Sequence, residues 1–209
     1  MPKKKWTPRQ IMDAVHEAGG LFIYDHPNWR PVVDYTTDDL LDTMSGLSGM
    51  EIYTGVIERL PGEAKATDRW DRLLTKGWRV FGHGTDDQHE LVDCFLAWNC
   101  VQWPSETPVT WQGLVEACRQ GRFYASTGVE INCVGTNDSG TEVVVSSDAD
   151  EIRWIVQGGV IARKAIGGED RFLIGEMAEF QADGRPTYVR AECLGSGNRM
   201  GWTQPFFVE

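Results

Sequence analysis

Short apolar runs alternate with helical patterns along residues 8–125, and this alternation restricts the folds that the chain can adopt. The apolar runs fit buried strands and lie at residues 21–24, 49–53, 78–81, 94–98 and 123–125. Between them, apolar side chains recur at helical spacing, which predicts helices at about residues 8–18, 37–44, 64–76 and 110–120. Strands that alternate with helices in this way predict a parallel sheet or an α/β barrel.

The pattern changes from about residue 131 onward. Short alternating or apolar runs follow one another without helical periodicity, at residues 143–145, 152–156, 188–193 and 206–208. Turn signals rich in Gly, Asn, Asp and Ser separate them, at residues 137–140, 158–159, 182–184 and 195–197. We therefore expect an α/β portion over residues 1–129, followed by a small, sandwich-like all-β domain over residues 130–209.

The charge of the chain argues against one large class of partners. Twenty Lys and Arg residues face 31 Asp and Glu residues, which gives a formal net charge of −11. Nonspecific nucleic-acid binding needs a basic surface, so nucleic acid is not an expected partner.

The sequence also suggests a cellular setting. No apolar stretch is long enough to span a bilayer, and the N-terminus does not resemble a signal peptide, so we expect a cytoplasmic protein that does not bind membranes. The five cysteines are an odd number without paired metal-binding spacing. They are expected to be small buried apolar residues in a reducing compartment.

The stretch at residues 79–89 carries the strongest functional signal. Asp87 and His89 are two positions apart in a Gly-rich turn, so both side chains can point into one cavity. An oxygen and a nitrogen ligand together suit a divalent ion such as Zn²⁺, Mn²⁺ or Fe. The alternative is that Asp86 and Asp87 only cap a turn and that His89 lies on the surface.

Two further residues strengthen the case for a metal site. His26 follows the strand at residues 21–24, and Pro27 prevents that strand from continuing. Glu51 places a charge within an apolar strand, where it has to be paired or coordinated. Because chemistry gathers at the C-terminal ends of parallel strands, we expect His26, Asp87 and His89 at one mouth of the sheet. His83 lies on the strand side of its turn and is not an expected ligand.

Five segments, in this order, resemble the PHP (polymerase and histidinol phosphatase) superfamily of metal-dependent phosphoesterases. They cover nearly the whole chain and lie at residues 19–27, 49–53, 84–89, 118–128 and 201–208. The last two are similar to the branch that includes carbaryl-hydrolase-like metallohydrolases. The resemblance implies a partial, distorted (β/α) barrel.

The resemblance also implies a metal site and an activity. By it, His26, Asp87 and His89 match metal ligands, and Glu51 matches a recurrent acidic position that acts as ligand or base. Asp86, next to Asp87, is a second acidic candidate for catalysis. Such sites hold Zn, Mn or Fe and hydrolyse small phosphoesters with a metal-activated water. A carboxyl or carbamate ester is an alternative substrate.

The chain departs from the family at its beginning. PHP proteins start with a strand that carries a His-x-His motif, whereas this chain has four histidines and no such motif. One alternative is therefore a degenerate or truncated PHP fold that acts as an interaction or scaffold module. Others are a partner chain or second copy that completes the barrel, and a chain that is the C-terminal piece of a longer protein.

Overall fold

The protein is a mixed α/β structure. The structure, a computed structural model, describes residues 5–29, 36–180 and 187–208, so the turn expected at residues 182–184 lies outside the described residues. The helices in these ranges are α1 (Pro8–Glu17), α2 (Asp38–Asp42), α3 (Thr67–Thr75) and α4 (Trp111–Arg119). The strands of the N-terminal part are β1 (Ile23–Tyr24), β2 (Gly49–Thr54), β3 (Phe81–Thr85), β4 (Trp98–Val101) and β5 (Phe123–Ser126). Those of the C-terminal part are β6 (Ile131–Thr136), β7 (Glu142–Ser147), β8 (Glu151–Val156), β9 (Val160–Ile166), β10 (Glu169–Leu173), β11 (Thr187–Leu194), β12 (Met200–Thr203) and β13 (Phe206–Val208).

Strands β1, β2 and β3 form a parallel sheet in that order. Helix α3 packs against it, so that Trp70 and Leu73 share a fully buried core with Met50 and Ile52 of β2. This part confirms the predicted alternation of strand and helix. The three strands end at one edge of the sheet, which is where His26, Glu51 and Asp87 lie.

Strand β3 begins later than the sequence suggested, at Phe81 instead of residue 78, and it passes through both glycines that were interpreted as a break. Gly82 fits inside the strand because a Cβ there would lie 2.9 Å from carbon atoms of Ile52 and Trp70. The Gln204 side chain accepts from the Gly82 N–H and donates to its carbonyl, both at 2.8 Å. Asn99 does the same for Gly84 at 3.0 and 2.9 Å. Two amide side chains thus pair with this edge of β3.

Strands β4 and β5 do not extend the parallel sheet, contrary to the prediction. They pair with each other antiparallel and belong to a seven-stranded sheet with the order β4-β5-β12-β11-β8-β9, in which β13 also pairs with β11. Residues 102–122 connect the two strands and contain α4, and the Gln102 N–H donates to the Arg122 carbonyl at 2.9 Å. No barrel closes within the described ranges.

The C-terminal part is composed of strands, as predicted. A second antiparallel sheet with the order β10-β7-β6 covers the larger sheet, and the two share a core that includes Val145, Trp154 and Phe172. Strands β6, β9, β10 and β12 were not among the expected runs. The larger sheet takes strands from both sides of the expected boundary at residues 129 and 130.

A buried ion pair joins the two parts of the molecule. Arg190 on β11 is 1% exposed, and its Nε and Nη2 atoms donate to the two oxygens of Asp71 on α3 at 2.8 and 2.6 Å. The Tyr188 hydroxyl donates to Asp71 at 2.8 Å, and Arg190 also donates to Glu192 at 3.0 Å. Helix α3 therefore contacts both the parallel sheet and the β part.

Two further expectations can be compared with the structure. All five cysteines are free, but only Cys193 is buried, and Cys133 is exposed, so the expectation of five buried thiols is wrong. Among the residues that the structure describes, no helix is long and apolar enough to cross a membrane.

Candidate functional site

The candidate site lies at the C-terminal edge of the parallel sheet. His26 lies two residues beyond the end of β1, Glu51 lies within β2, and Asp87 lies two residues beyond the end of β3. The His26 side chain contacts both Glu51 and Asp87. His26 and Asp87 lie just beyond strand ends, as the sequence pattern predicts.

Glu51 is a buried anion that holds His26 in place. It is 3% exposed, and its Oε2 atom accepts hydrogen bonds from the His26 main-chain N–H at 2.7 Å and from the Thr54 hydroxyl at 2.9 Å. Its Oε1 atom accepts from the Thr85 hydroxyl. Burial opposes the charged form, but the hydrogen bonds from His26 and Thr85 outweigh it and lower the pKa of Glu51.

The contact with Glu51 orients the imidazole of His26. Nδ1 of His26 lies 2.8 Å from Oε2 of Glu51, and this hydrogen bond raises the pKa of His26. An ionised carboxylate can only accept, so Nδ1 carries the proton. In the neutral ring the lone pair is then on Nε2, which lies 3.5 Å from Oδ2 of Asp87. Carboxylates orient many metal-binding histidines in this way.

His89 lies at the outer side of the same group. Its side chain is 66% exposed, and its Nδ1 atom is 2.7 Å from the main-chain carbonyl of Asp87 and 3.7 Å from the Oδ1 atom of Asp87. A carbonyl oxygen can only accept, so Nδ1 donates and the lone pair of the neutral ring is again on Nε2.

The backbone of the site is held in an unusual conformation. Four non-glycine residues in the described ranges have positive φ, and three of them lie here: His26 at 52°, Asp87 at 48° and Phe95 at 64°. This region is unfavourable for L-residues other than Asn and Asp, and such strain concentrates at functional sites. Two of the three residues are the predicted ligands that contact each other.

Asp86 anchors the loop that follows β3. Its two carboxylate oxygens accept hydrogen bonds from the main-chain N–H groups of Phe95, Leu96 and Ala97 at 2.8, 2.7 and 2.9 Å. With both oxygens occupied, the geometry favours an anchoring role for Asp86. The catalytic role that the sequence suggested for it has no support from these contacts.

Sequence reasoning missed two acidic residues near the site. Asp93 is buried, pairs with the Arg59 guanidinium and accepts from the N–H groups of His89 and Glu90 at 3.0 and 2.7 Å. The hydrogen bond from Arg59 lowers the pKa of Asp93. Asp25 precedes His26, and partial burial followed by the charge of Glu51 raises its pKa. The signal for Asp25 was its position at the end of a strand.

The donor atoms at the site suit one divalent ion in chemistry and spacing. Two ligands bound to one Zn²⁺ at about 2.0–2.2 Å in tetrahedral geometry lie roughly 3.4 Å apart. The separation of His26 Nε2 and Asp87 Oδ2 is 3.5 Å. Within the described ranges, however, no group of three or more His, Cys, Asp or Glu side chains is arranged to hold a metal. The structure therefore offers a ligand pair, and the metal cofactor stays a prediction.

Comparison of the chain with protein-family models, with curated proteins and with solved structures finds no match in any of the three. The resemblance to the PHP superfamily therefore rests on the sequence motifs alone and stays a prediction.

Proposed function

We propose that the chain is a metal-dependent hydrolase of the PHP type, with phosphoesters as its substrate class. The observation that supports this function best is the buried Glu51 carboxylate, which orients His26 so that Nε2 faces Asp87. The PHP fold, the partial barrel and the hydrolytic activity are all parts of this proposal.

Each residue has a distinct role in the proposed site. His26 and Asp87 hold a Zn, Mn or Fe ion through Nε2 and the carboxylate, and His89 is the third candidate ligand. Glu51 is a positioning residue, because it fixes the ring of His26 and keeps its proton on Nδ1. The ion, when bound, supplies a water nucleophile of lowered pKa and offsets charge on the phosphoryl oxygens.

The negative charge of the side chains around His26 supports a requirement for a cation. Asp25, Glu51 and Asp87 lie close enough together for their charges to act on His26. A phosphoester carries negative charge, and carboxylates at this distance repel it. A divalent ion reverses that repulsion, so we expect binding of substrate and binding of metal to depend on each other.

The test measures metal first and activity second. Metal content is determined by ICP-MS, and Zn²⁺ affinity by competition with a chromophoric chelator. We expect a near-stoichiometric transition metal in the wild type, and its loss in a His26→Gln/Asp87→Asn variant. Loss of a carboxylate that orients a metal-binding histidine typically lowers metal affinity about 10–100-fold, which is the expected effect of Glu51→Gln.

A matched control is His16→Gln, because His16 is an exposed histidine outside the site that contacts Ser48. It should leave metal content unchanged. Hydrolysis of p-nitrophenyl phosphate should depend on the metal and stop when a chelator is added. Absence of metal and of hydrolysis in the wild type, under saturating Zn²⁺ and Mn²⁺, would reject the hydrolase proposal for the isolated chain.

An interaction module is the second candidate function, and one observation favours it. The loop after β3 exposes Leu91 by 88%, Val92 by 65% and Phe95 by 86%, although Asp86 and Asp93 fix its backbone. A rigid loop that presents large apolar side chains fits a protein partner or a second copy. Light scattering of the wild type and of Leu91→Ser/Phe95→Ser tests it, since only association through this loop would be lost in the variant.

A further inference from the structure

A cavity lies at the opposite end of β3 from the candidate metal site. It has a volume of about 760 Å³ and is lined by Phe81, the first residue of β3. Phe81 and Asp87 are six positions apart, which is roughly 20 Å along an extended chain. A volume of this size lies within the range of about 300–1,000 Å³ that small-molecule sites have.

The charge of this cavity is opposite to that of the chain. Arg79 and Arg122 line it, and no Asp, Glu or Lys does so among the residues that the structure describes. The chain as a whole carries a net charge of −11. A cavity with two guanidinium groups in so acidic a protein selects for anions.

Arg122 has an unfilled capacity for hydrogen bonding. Its Nε atom is buried, and it has no hydrogen-bond partner within residues 5–29, 36–180 and 187–208. Arg122 as a whole is half-buried and lines the cavity, so its guanidinium can contact a ligand there. The guanidinium fork matches a planar carboxylate, to which it can donate two parallel hydrogen bonds.

The walls of the cavity are mainly aromatic. Phe123, Tyr124, Phe206 and Phe207 line it, and the guanidinium of Arg79 lies over the ring of Phe207 at 4.8 Å from its centroid. Burial, and then a hydrogen bond with Cys100, raises the pKa of Tyr124 to about 12. The phenol is therefore neutral and does not repel an anion. Aromatic walls favour a ligand with a planar apolar body.

We propose that this cavity binds a small organic carboxylate with a planar aromatic body, whose carboxylate lies at Arg122 and whose rings lie against the aromatic walls. The site is separate from the candidate metal centre. Its ligand needs no hydrolysable bond, so the proposal does not depend on the hydrolase proposal.

The first test compares 2-naphthoate with its neutral analogue 2-naphthamide by isothermal titration calorimetry. We expect 2-naphthoate to bind at least about tenfold more tightly, because a hydrogen bond to a charged group contributes about that much. Arg122→Gln should lower naphthoate affinity by at least about tenfold and leave 2-naphthamide unchanged. Arg171→Gln is the matched control, since Arg171 is 70% exposed on β10 and does not line the cavity. Equal binding of both compounds, no binding of naphthoate, or an unchanged affinity in Arg122→Gln would overturn the proposal.

A second test uses the wild-type protein and so does not depend on the folding of a variant. Cys133 lines the cavity and is exposed, whereas Cys94 does not line it. Alkylation by iodoacetamide is followed by mass spectrometry at both thiols. We expect 2-naphthoate to slow modification of Cys133 and not of Cys94. Equal rates at Cys133 with and without saturating naphthoate would place the ligand elsewhere and overturn the proposal.

Discussion

Two clusters of buried charge differ in how completely their members are paired. We call Asp71 with Arg190 and Tyr188 the closed cluster. Its carboxylate accepts hydrogen bonds from these two residues, which are 1% and 0% exposed. We call Glu51 with His26 and Asp87 the open cluster. The Glu51 carboxylate is also buried, but it is paired with the imidazole of His26, whose side chain is 31% exposed. Both partners of Asp71 in the closed cluster are buried, whereas Nε2 of His26 faces Asp87, whose side chain is 28% exposed.

The difference indicates a different purpose for each carboxylate. A paired guanidinium between α3 and β11 fixes how the parallel sheet sits against the β part, and its hydrogen bonds are satisfied within the fold. A carboxylate that orients a half-exposed histidine leaves a lone pair available for an ion or a proton. Burial of a charge therefore indicates function only when its partner reaches the surface.

The largest expected effect comes from opening the closed cluster. Asp71→Ala removes the acceptor of two of the three hydrogen bonds that the buried Arg190 guanidinium donates and leaves it with Glu192, and breaking a buried pair in this way costs about 3–5 kcal/mol. Urea unfolding should show this loss in the free energy of unfolding. Arg72→Ala on the same helix is the control, because Arg72 and Asp42 form a pair that is 31% and 34% exposed. It should cost less than about 1 kcal/mol.

A triple variant separates loss of packing from loss of charge. In Asp71→Ala/Arg190→Met/Glu192→Gln the Arg190 charge and the buried Glu192 carboxylate that pairs with it are both gone, and an apolar side chain of similar length replaces the arginine. We expect the triple variant to be more stable than Asp71→Ala alone. If the two are equally unstable, Arg190 contributes through packing on Trp70, whose ring lies 4.9 Å below its guanidinium, and the contrast between the clusters weakens.

The open cluster was largely predictable from the sequence, and the closed cluster was not. His26 and Asp87 could be placed because each follows a strand, and the C-terminal ends of parallel strands share an edge. Arg190 and Asp71 are 119 positions apart, and neither lies in a motif. Their contact depends on how β11 packs against α3, which local patterns do not encode.

The course of the chain around β3 was not predictable for a similar reason. Two glycines normally indicate a break, but here they lie within the strand, because Gln204 and Asn99 supply the missing partners of its backbone. Gln204 lies 122 positions from the residue it pairs with. The antiparallel pairing of β4 with β5 likewise depends on β12 on the other side of β5, which the sequence pattern did not indicate.

A second prediction sharpens the contrast between the clusters through His83, which makes no hydrogen bond or ion pair with a carboxylate among the residues that the structure describes. Burial lowers the pKa of His83 to about 4, whereas Glu51 raises the pKa of His26. In the unfolded chain His83 takes up its proton near pH 6.5, while in the folded protein it stays neutral down to about pH 4. The folded protein therefore has its full free energy of unfolding, as far as His83 determines it, above pH 6.5. As the pH falls from 6.5 toward 4, this free energy decreases by roughly 3 kcal/mol in total.

Urea unfolding between pH 7 and pH 4 measures this effect as a difference between variants. His83→Gln removes the titrating group, so its free energy of unfolding should fall less steeply with pH than that of the wild type. Gln112→Ala, at an exposed position of α4 without a titrating group, should leave the slope unchanged. An unchanged slope in His83→Gln would mean that the ring is solvated or paired in the folded protein.

The smallest expected effect concerns backbone strain at Phe95, in the loop after β3 beside the open cluster. Phe95 has a φ of 64° and is 86% exposed, so its ring contributes little packing while its backbone is unfavourable. Asn tolerates this conformation, and Phe95→Asn should raise the free energy of unfolding by up to about 1 kcal/mol. Leu91→Asn removes an equally exposed apolar side chain at a position without positive φ, and it should be neutral within about 0.5 kcal/mol.

A gain in Phe95→Asn alone would show that the wild-type loop retains a residue that is unfavourable for stability, as expected of a surface that contacts a ligand or a partner. A loss would mean that the ring of Phe95 stabilises the folded chain itself, and the loop would then belong with the structural part of the molecule.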